Sequence, residues 1–237
     1  MAFTDKNILI VGGTSGIGLE TTNILQEKGA NVITASRKEP ANEHNFQHLT
    51  LDVLDTDTSF AEHLPDVLHG LVYCPGSIKL KPFERLQPED FRNDLELNVM
   101  GAIKVLKAVM PMLKKADGAS VVLFSTVATQ LGMPFHTSIA TAKAAVQGLT
   151  VSLAAEYATS HIRFNAIAPS LTDTPLAASL LNTPEKTEAA GKRHPLGRVG
   201  TTKDIAHAAV YLLSDESSWM TGQMLHLDGG MSSVKLL

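Results

Sequence analysis

Residues 7–18 read NILIVGGTSGIG, and this stretch decides the fold. Asn7–Val11 is a short apolar run, the pattern of a strand buried on both faces. It leads into Gly12, Gly16 and Gly18. Glycines so placed give a tight turn, a close backbone approach to a pyrophosphate, and close packing of helix on strand. Helical periodicity follows over Gly16–Lys28, with Ile17, Thr21, Ile24 and Leu25 on one face. Such a helix begins with free N–H groups facing an anion. Strand, glycine turn and helix in this order predict a phosphate loop made by Gly12, Thr14, Ser15, Gly16, Ile17 and Gly18.

Downstream, strand-like runs alternate with helical patterns. Strands are expected at Asn31–Ala35, His48–Val53, Gly70–Tyr73, Ala119–Phe124, Ile162–Ile167 and Met224–Leu227. Glu89–Lys115 carries one long helix or two, and Ser138–Tyr157 another, with Ile139, Ala142, Val146, Leu149 and Leu153 on one face. The alternation predicts an α/β fold: a doubly wound, Rossmann-type, parallel sheet of seven strands with helices on both faces, spanning 1–237 as a single domain. The proline-rich stretch over 170–199 reads as a flap over the site, and it is the least regular part of the chain. Trp219 and Met220 are expected to pack into the core near the last strand.

Bulk properties narrow the function. The 237 residues are 44% hydrophobic and 19% charged, an ordinary globular composition. A net charge of −4 gives no electrostatic reason to expect a nucleic-acid partner. No apolar run approaches the ~20 residues of a membrane span. Cys74 is the only cysteine, which excludes an intrachain disulfide and suits a cytoplasmic location. The histidines, His44 among them, show no metal-ligand spacing, so no metal site is expected.

The second strand ends in Ser36, Arg37 and Lys38. A site selective for NAD places an acid here to hold the ribose hydroxyls, whereas a hydroxyl and two cations suit a 2′-phosphate. The expected cofactor is NADP(H).

Taken with further residues, these motifs resemble the short-chain dehydrogenase/reductase family, from Asn7 to about Gly230. Asp52 and Val53 match the pair that in the family contacts adenine. Cys74, Pro75 and Gly76 stand where the family has Asn-Ala-Gly, so only the glycine survives. Asn98 matches the active-site asparagine. Pro169, Thr172 and Thr174 fall where the family touches the cofactor, and Asp228-Gly229-Gly230 matches its last strand. The resemblance implies an oxidoreductase acting on a small molecule, assembled as a homotetramer.

The catalytic segment departs from the family pattern of serine, tyrosine 13 residues later and lysine 4 residues beyond. With Lys143 as the lysine, the tyrosine place is Ile139 and the serine place Thr126, beside Ser125. Threonine keeps a hydroxyl donor; isoleucine can neither give nor take a proton. Tyr157 lies ~21 Å from Lys143 along the helix, and Tyr73 and Tyr211 are on other elements. His136 precedes Lys143 by the x6 spacing of the tyrosine in the related enoyl-acyl-carrier-protein reductases, and histidine is a natural acid–base group near neutrality. His136 also falls in a loop before the helix, with Thr137 or Ser138 as the expected N-cap. Asn98, Thr126, His136 and Lys143 are therefore the candidate catalytic residues. Two readings stay open: an NADPH-dependent reductase of a carbonyl or activated double bond in an apolar or acyl substrate, and a catalytically weak or inactive NADP(H)-binding sensor or scaffold.

Overall fold

The computed structural model describes residues 3–40, 45–55 and 57–235. His44 and the ends of the expected 1–237 domain lie outside the described residues. In chain order the strands are β1 (Asn7–Val11), β2 (Asn31–Ser36), β3 (Gln47–Thr50), β4 (Gly70–Tyr73), β5 (Ala119–Phe124), β6 (Ile162–Pro169), β7 (Thr172–Asp173), β8 (Gly200–Thr201) and β9 (Met224–Leu227). The α-helices are α1 (Gly16–Glu27), α2 (Pro88–Leu95), α3 (Gly101–Lys115), α4 (Thr137–Tyr157), α5 (Pro184–Gly191) and α6 (Thr202–Leu213).

Seven strands form one parallel sheet in the order β3-β2-β1-β4-β5-β6-β9, and β7 pairs with β8 apart from it. Strand alternation sends side chains to two cores. Leu9, Val11, Leu71, Val121, Leu123 and Phe164 pack against α3 and α4 through Val105, Val109 and Val146. Ile8, Ile10, Val72, Val122 and Ile167 pack against α1 and α6 through Leu25, Ile205 and Ala209. Each fully buried aliphatic side chain here contributes about 1.5–3 kcal/mol. This double burial is why the strands read as continuous apolar runs. The order reverses between β1 and β4, so a crevice opens at the carboxyl ends of those strands.

Several boundaries differ from the expectation. The third strand covers only Gln47–Thr50, because at its far end Asp52 turns the chain by accepting from the Leu54 N–H at 3.0 Å. The Glu89–Lys115 segment is two helices joined by a π-turn at Glu96–Met100. His136, not Thr137 or Ser138, occupies the N-cap position of α4. Ser138 is drawn into the interior instead, where its hydroxyl donates to Asp94 Oδ2 at 2.6 Å. The 170–199 stretch is more regular than expected: a 3-10 turn at Pro175–Leu180 is capped by Thr174, and α5 is capped by Thr183 with Pro184 in its first turn.

Trp219 does not pack in the core; it is 100% exposed. Its neighbour Met220 takes the inward place, packed on the α1/α6 core, and its carbonyl accepts from Asn165 Nδ2 at 2.9 Å. Asn165 Oδ1 in turn accepts from the Gln223 N–H at 3.0 Å, which seats β9 beside β6.

Candidate active site

The phosphate loop is built for close backbone approach. A Cβ on Gly18 would stand 2.2 Å from the Gly12 carbonyl oxygen, so no larger residue fits there. Gly12 and Gly16 hold φ of +79° and +52°, in the left-handed region that glycine occupies freely. Ser15 precedes α1 but makes no side-chain capping bond, leaving first-turn N–H groups to meet an anion. Thr14 Oγ1 lies 2.9 Å from Ser36 Oγ, which donates to the Lys38 carbonyl at 2.8 Å. Since Ser36 spends its proton there, Thr14 is the donor in the pair, and the loop is tied to the end of β2. Arg37 and Lys38 are exposed beside it. Asp52 sits in its turn after β3, and Val53 is buried close to Gly101.

A cavity of about 330 Å³ lies over the carboxyl ends of the strands. Of the expected site residues it gathers Ile17, Cys74, Gly76, Thr126, His136, Lys143, Pro169, Thr172 and Thr174. Ser36, Arg37, Lys38, Asp52 and Val53 do not line it; they lie further along the same sheet edge, toward β3. Lys143 is 8% exposed, and its Nζ donates to the Phe124 carbonyl at 2.9 Å. Burial lowers its pKa to about 8, with the Cys74 sulfur and the Asp94 carboxylate pulling the other way. Burial pushes the Cys74 thiol up to about 12, against the pull of Lys143. The thiol is thus held in its neutral form.

Gly76 has a structural reason to be glycine. A Cβ there would stand 3.3 Å from Asn98 Oδ1 and 3.5 Å from Lys143 Nζ, filling the space that these two polar atoms border. Asn98 belongs to the π-turn and is buried; its Nδ2 donates to the Asp94 carbonyl at 2.8 Å. Its Oδ1 has no hydrogen-bond partner among the described residues.

The two hydroxyls after β5 divide their roles. Ser125 Oγ donates to the Lys143 carbonyl at 3.2 Å and receives Gln147 Nε2 at 2.9 Å, so its proton is committed to the fold. Thr126 Oγ1 only accepts, from the Ala128 N–H at 3.3 Å, which leaves its proton free toward the cavity.

His136 Nδ1 lies 2.7 Å from the Pro134 carbonyl, so Nδ1 carries a proton and Nε2 is the nitrogen left for the cavity. Ile139 lines the cavity wall one turn before Lys143. None of the three tyrosines lines it. Tyr73 Oη donates to the Leu97 carbonyl at 2.7 Å, Tyr157 packs on Phe164, and Tyr211 is on α6.

Sequence reasoning missed Asp94. It is 2% exposed, with Oδ1 accepting from Ser77 Oγ at 2.5 Å and Oδ2 from Ser138 Oγ at 2.6 Å. Ser77 lines the cavity, so this carboxylate links the loop after β4, helix α2 and the start of α4. The available signal was its place four residues before Asn98, on the same helix face. Arg193, from the segment after α5, also lines the cavity and was not foreseen.

The glycine cradle, the uncapped start of α1, the space beside Gly76 and the unpartnered Asn98 Oδ1 fit a nicotinamide dinucleotide laid across the switch point. Among the described residues no helix is long and apolar enough to cross a membrane, and no three His, Cys, Asp or Glu side chains gather as a metal site.

Comparison with known proteins agrees with this class of site. Residues 11–232 match the family described as "Enoyl-(Acyl carrier protein) reductase". A 3-oxoacyl-[acyl-carrier-protein] reductase of Thermotoga maritima is 32% identical over 98% of this chain and 99% of its own. The ligand-free aldohexose dehydrogenase of Thermoplasma acidophilum superposes with a TM-score of 0.92 at 29% identity, covering 99% of this chain and 96% of that one. A gluconate 5-dehydrogenase from Burkholderia cenocepacia, in complex with NADP and tartrate, gives a TM-score of 0.90 at 26% identity over 98% and 97% of the two chains. The chain belongs to the short-chain dehydrogenase/reductase family, whose oxidoreductases use nicotinamide cofactors on small-molecule substrates.

Proposed function

We propose that this chain is an NADPH-dependent reductase of a carbonyl or activated double bond in a small, largely apolar substrate, working without a tyrosine acid. The observation that carries this reading is the shared cavity. One space brings Ile17, Gly76 and Lys143 together with the Thr126 hydroxyl, His136 and an apolar wall that includes Ile139, Leu176 and Leu180. Gly12, Thr14, Ser15, Gly16, Ile17 and Gly18 would hold the pyrophosphate, and Ser36, Arg37 and Lys38 the 2′-phosphate. Asp52 and Val53 would border the adenine, and Cys74, Pro75, Gly76, Pro169, Thr172 and Thr174 the rest of the cofactor. When bound, NADPH supplies the hydride.

Lys143, kept in place by the Phe124 carbonyl, would hold the nicotinamide ribose. Thr126 offers its uncommitted proton to the oxygen where negative charge develops. His136, protonated on Nε2, delivers the proton; its Nδ1 bond to Pro134 fixes which nitrogen faces the substrate. Arg37 and Lys38 support NADP(H) over NAD because neither pairs with an acid among the described residues. Assembly as a homotetramer and a cytoplasmic location belong to the same proposal, as does a single domain over 1–237 with a flap at 170–199.

The test is NADPH oxidation against ketones, enones and acyl thioesters. Turnover is expected on at least one of these substrate classes. His136→Ala should lower turnover by about 10²-fold or more while NADPH affinity is kept. Wild-type NADPH binding with no turnover on any of these substrates would refute the reductase reading and leave a cofactor-binding sensor or scaffold.

A further inference from the structure

The cavity walls hold two basic side chains, Lys143 and Arg193, and no Asp or Glu. Lys143 is engaged by the Phe124 carbonyl and is near Asp94. Arg193 differs, because its guanidinium makes no hydrogen bond or ion pair among the described residues. The cations beside it in the chain all have partners. Lys192 pairs with Glu188 at 2.6 Å, Arg198 with Asp204 at 2.7 Å, and Lys186 donates to Asn182 Oδ1 at 2.7 Å.

The backbone beneath Arg193 is firmly seated. Its own N–H donates to the Ala190 carbonyl at 3.2 Å. The next residue, His194, is 3% exposed, with Nδ1 2.9 Å from the Ala190 carbonyl and Nε2 2.8 Å from Ser170 Oγ. Ser170 is itself a cavity residue, so this histidine pins the segment to the end of β6. Gly191 is buried so close to the Gly197 carbonyl that a Cβ would stand 3.0 Å from it. A seated backbone thus places an unpaired arginine in the wall of a cavity that also holds the apolar Ile78, Leu80, Met133, Leu176, Leu180 and Met231. A guanidinium fork matches the two oxygens of a carboxylate.

We infer that the substrate is an apolar carbonyl compound carrying a carboxylate, and that Arg193 receives that carboxylate and sets specificity. This names the substrate class for the reductase reading and rests on that reading for the reaction. Binding can be tested without turnover. Cyclohexanecarboxylate and cyclohexanecarboxamide are titrated by calorimetry into the NADPH-saturated protein. The acid is expected to bind about tenfold or more tighter than the amide, the scale of a charge-assisted hydrogen bond. Arg193→Met should abolish that preference and leave amide binding and NADPH affinity unchanged. Arg193 is exposed, so the variant is expected to fold, which a thermal melt checks. Equal binding of acid and amide by wild type, or no acid binding at millimolar concentration, would overturn the inference. So would an Arg193→Met loss of NADPH affinity, which would assign the guanidinium to a cofactor phosphate. A retained acid preference without turnover on any carbonyl would sink the reductase reading alone.

Discussion

Lys143→Met should change how stability depends on pH, in a direction fixed by burial. The lysine is 8% exposed, and its pKa falls from 10.5 to about 8 on folding. A separation of about 2.5 pH units, at about 1.4 kcal/mol per pH unit, corresponds to roughly 3–4 kcal/mol, most of it expressed between pH 7 and 10.5. The group is a base whose folded pKa is depressed. Below pH 8 both states hold the proton, and the folded state bears the whole cost of a desolvated charge. Between pH 8 and 10.5 the unfolded chain holds a proton that the folded chain has released, so stability rises with pH; above 10.5 the effect is complete. The variant lacks this dependence. The comparison at a single pH is ambiguous, because methionine also leaves the Phe124 carbonyl without its donor, at a cost of about 1–3 kcal/mol. The slope of the difference is the test. Urea denaturation of both proteins without cofactor, from pH 7 to 10.5, should show wild type gaining about 3 kcal/mol on the variant. Cys74, whose folded pKa is raised, acts with the opposite sign at high pH, but it is present in both proteins and largely cancels. A flat difference across this range would refute the reasoning, because Lys143 would then be as well solvated folded as unfolded.

Gly18→Ala places a methyl 2.2 Å from the Gly12 carbonyl, so the loop must shift. We expect a loss of about 1–3 kcal/mol in stability and loss of nicotinamide-cofactor binding by calorimetry; an unchanged melt with binding retained would contradict the cradle. Arg37→Ala should weaken NADP(H) by about 1–3 kcal/mol and leave NAD nearly untouched, and equal losses for both cofactors would remove the 2′-phosphate role. Both titrations should be calorimetric, because Trp219 is fully exposed and a poor reporter of a distant site.

The sheet was legible because strands buried on both faces produce unbroken apolar runs. Asn7–Val11, Gly70–Tyr73 and Ala119–Phe124 were read to the residue. Legibility failed where a local polar contact overrode a pattern. His48–Val53 looks like six strand residues, but Asp52 closes a turn on Leu54, so pairing stops at Thr50. The join between α2 and α3 was hidden for a related reason. A π-turn adds a residue to the helical register without a proline or glycine at its start, and only the backbone shows it. Trp219 misled because residue type suggests burial, whereas which of two neighbours turns inward is set by what their backbone meets. There it is Met220 whose carbonyl is claimed by Asn165.

The site was legible where chemistry follows a motif and hidden where it follows three-dimensional convergence. Gly12, Gly16 and Gly18 carry their reason within a few residues of each other. Asp94 does not: its partners Ser77 and Ser138 are 17 and 44 residues away, and neither serine is unusual alone. Their meeting has a consequence for proton supply. Burying a carboxylate is costly unless hydrogen bonds replace its water, and here two hydroxyls do so. Ser77 and Ser138 thereby commit their single protons to Asp94, as Ser125 commits its own to the Lys143 carbonyl. Ile139, beside Ser138 in the chain, offers the cavity only hydrocarbon. Among the described hydroxyl and imidazole groups lining the cavity, the protons not spent on the fold therefore narrow toward Thr126 and the Nε2 side of His136. One is a weak acid fixed at the end of β5. The other is an imidazole at the start of α4 whose Nδ1 is held by the Pro134 carbonyl, so the reductase reading draws its proton from Thr126 and His136 and not from a tyrosine.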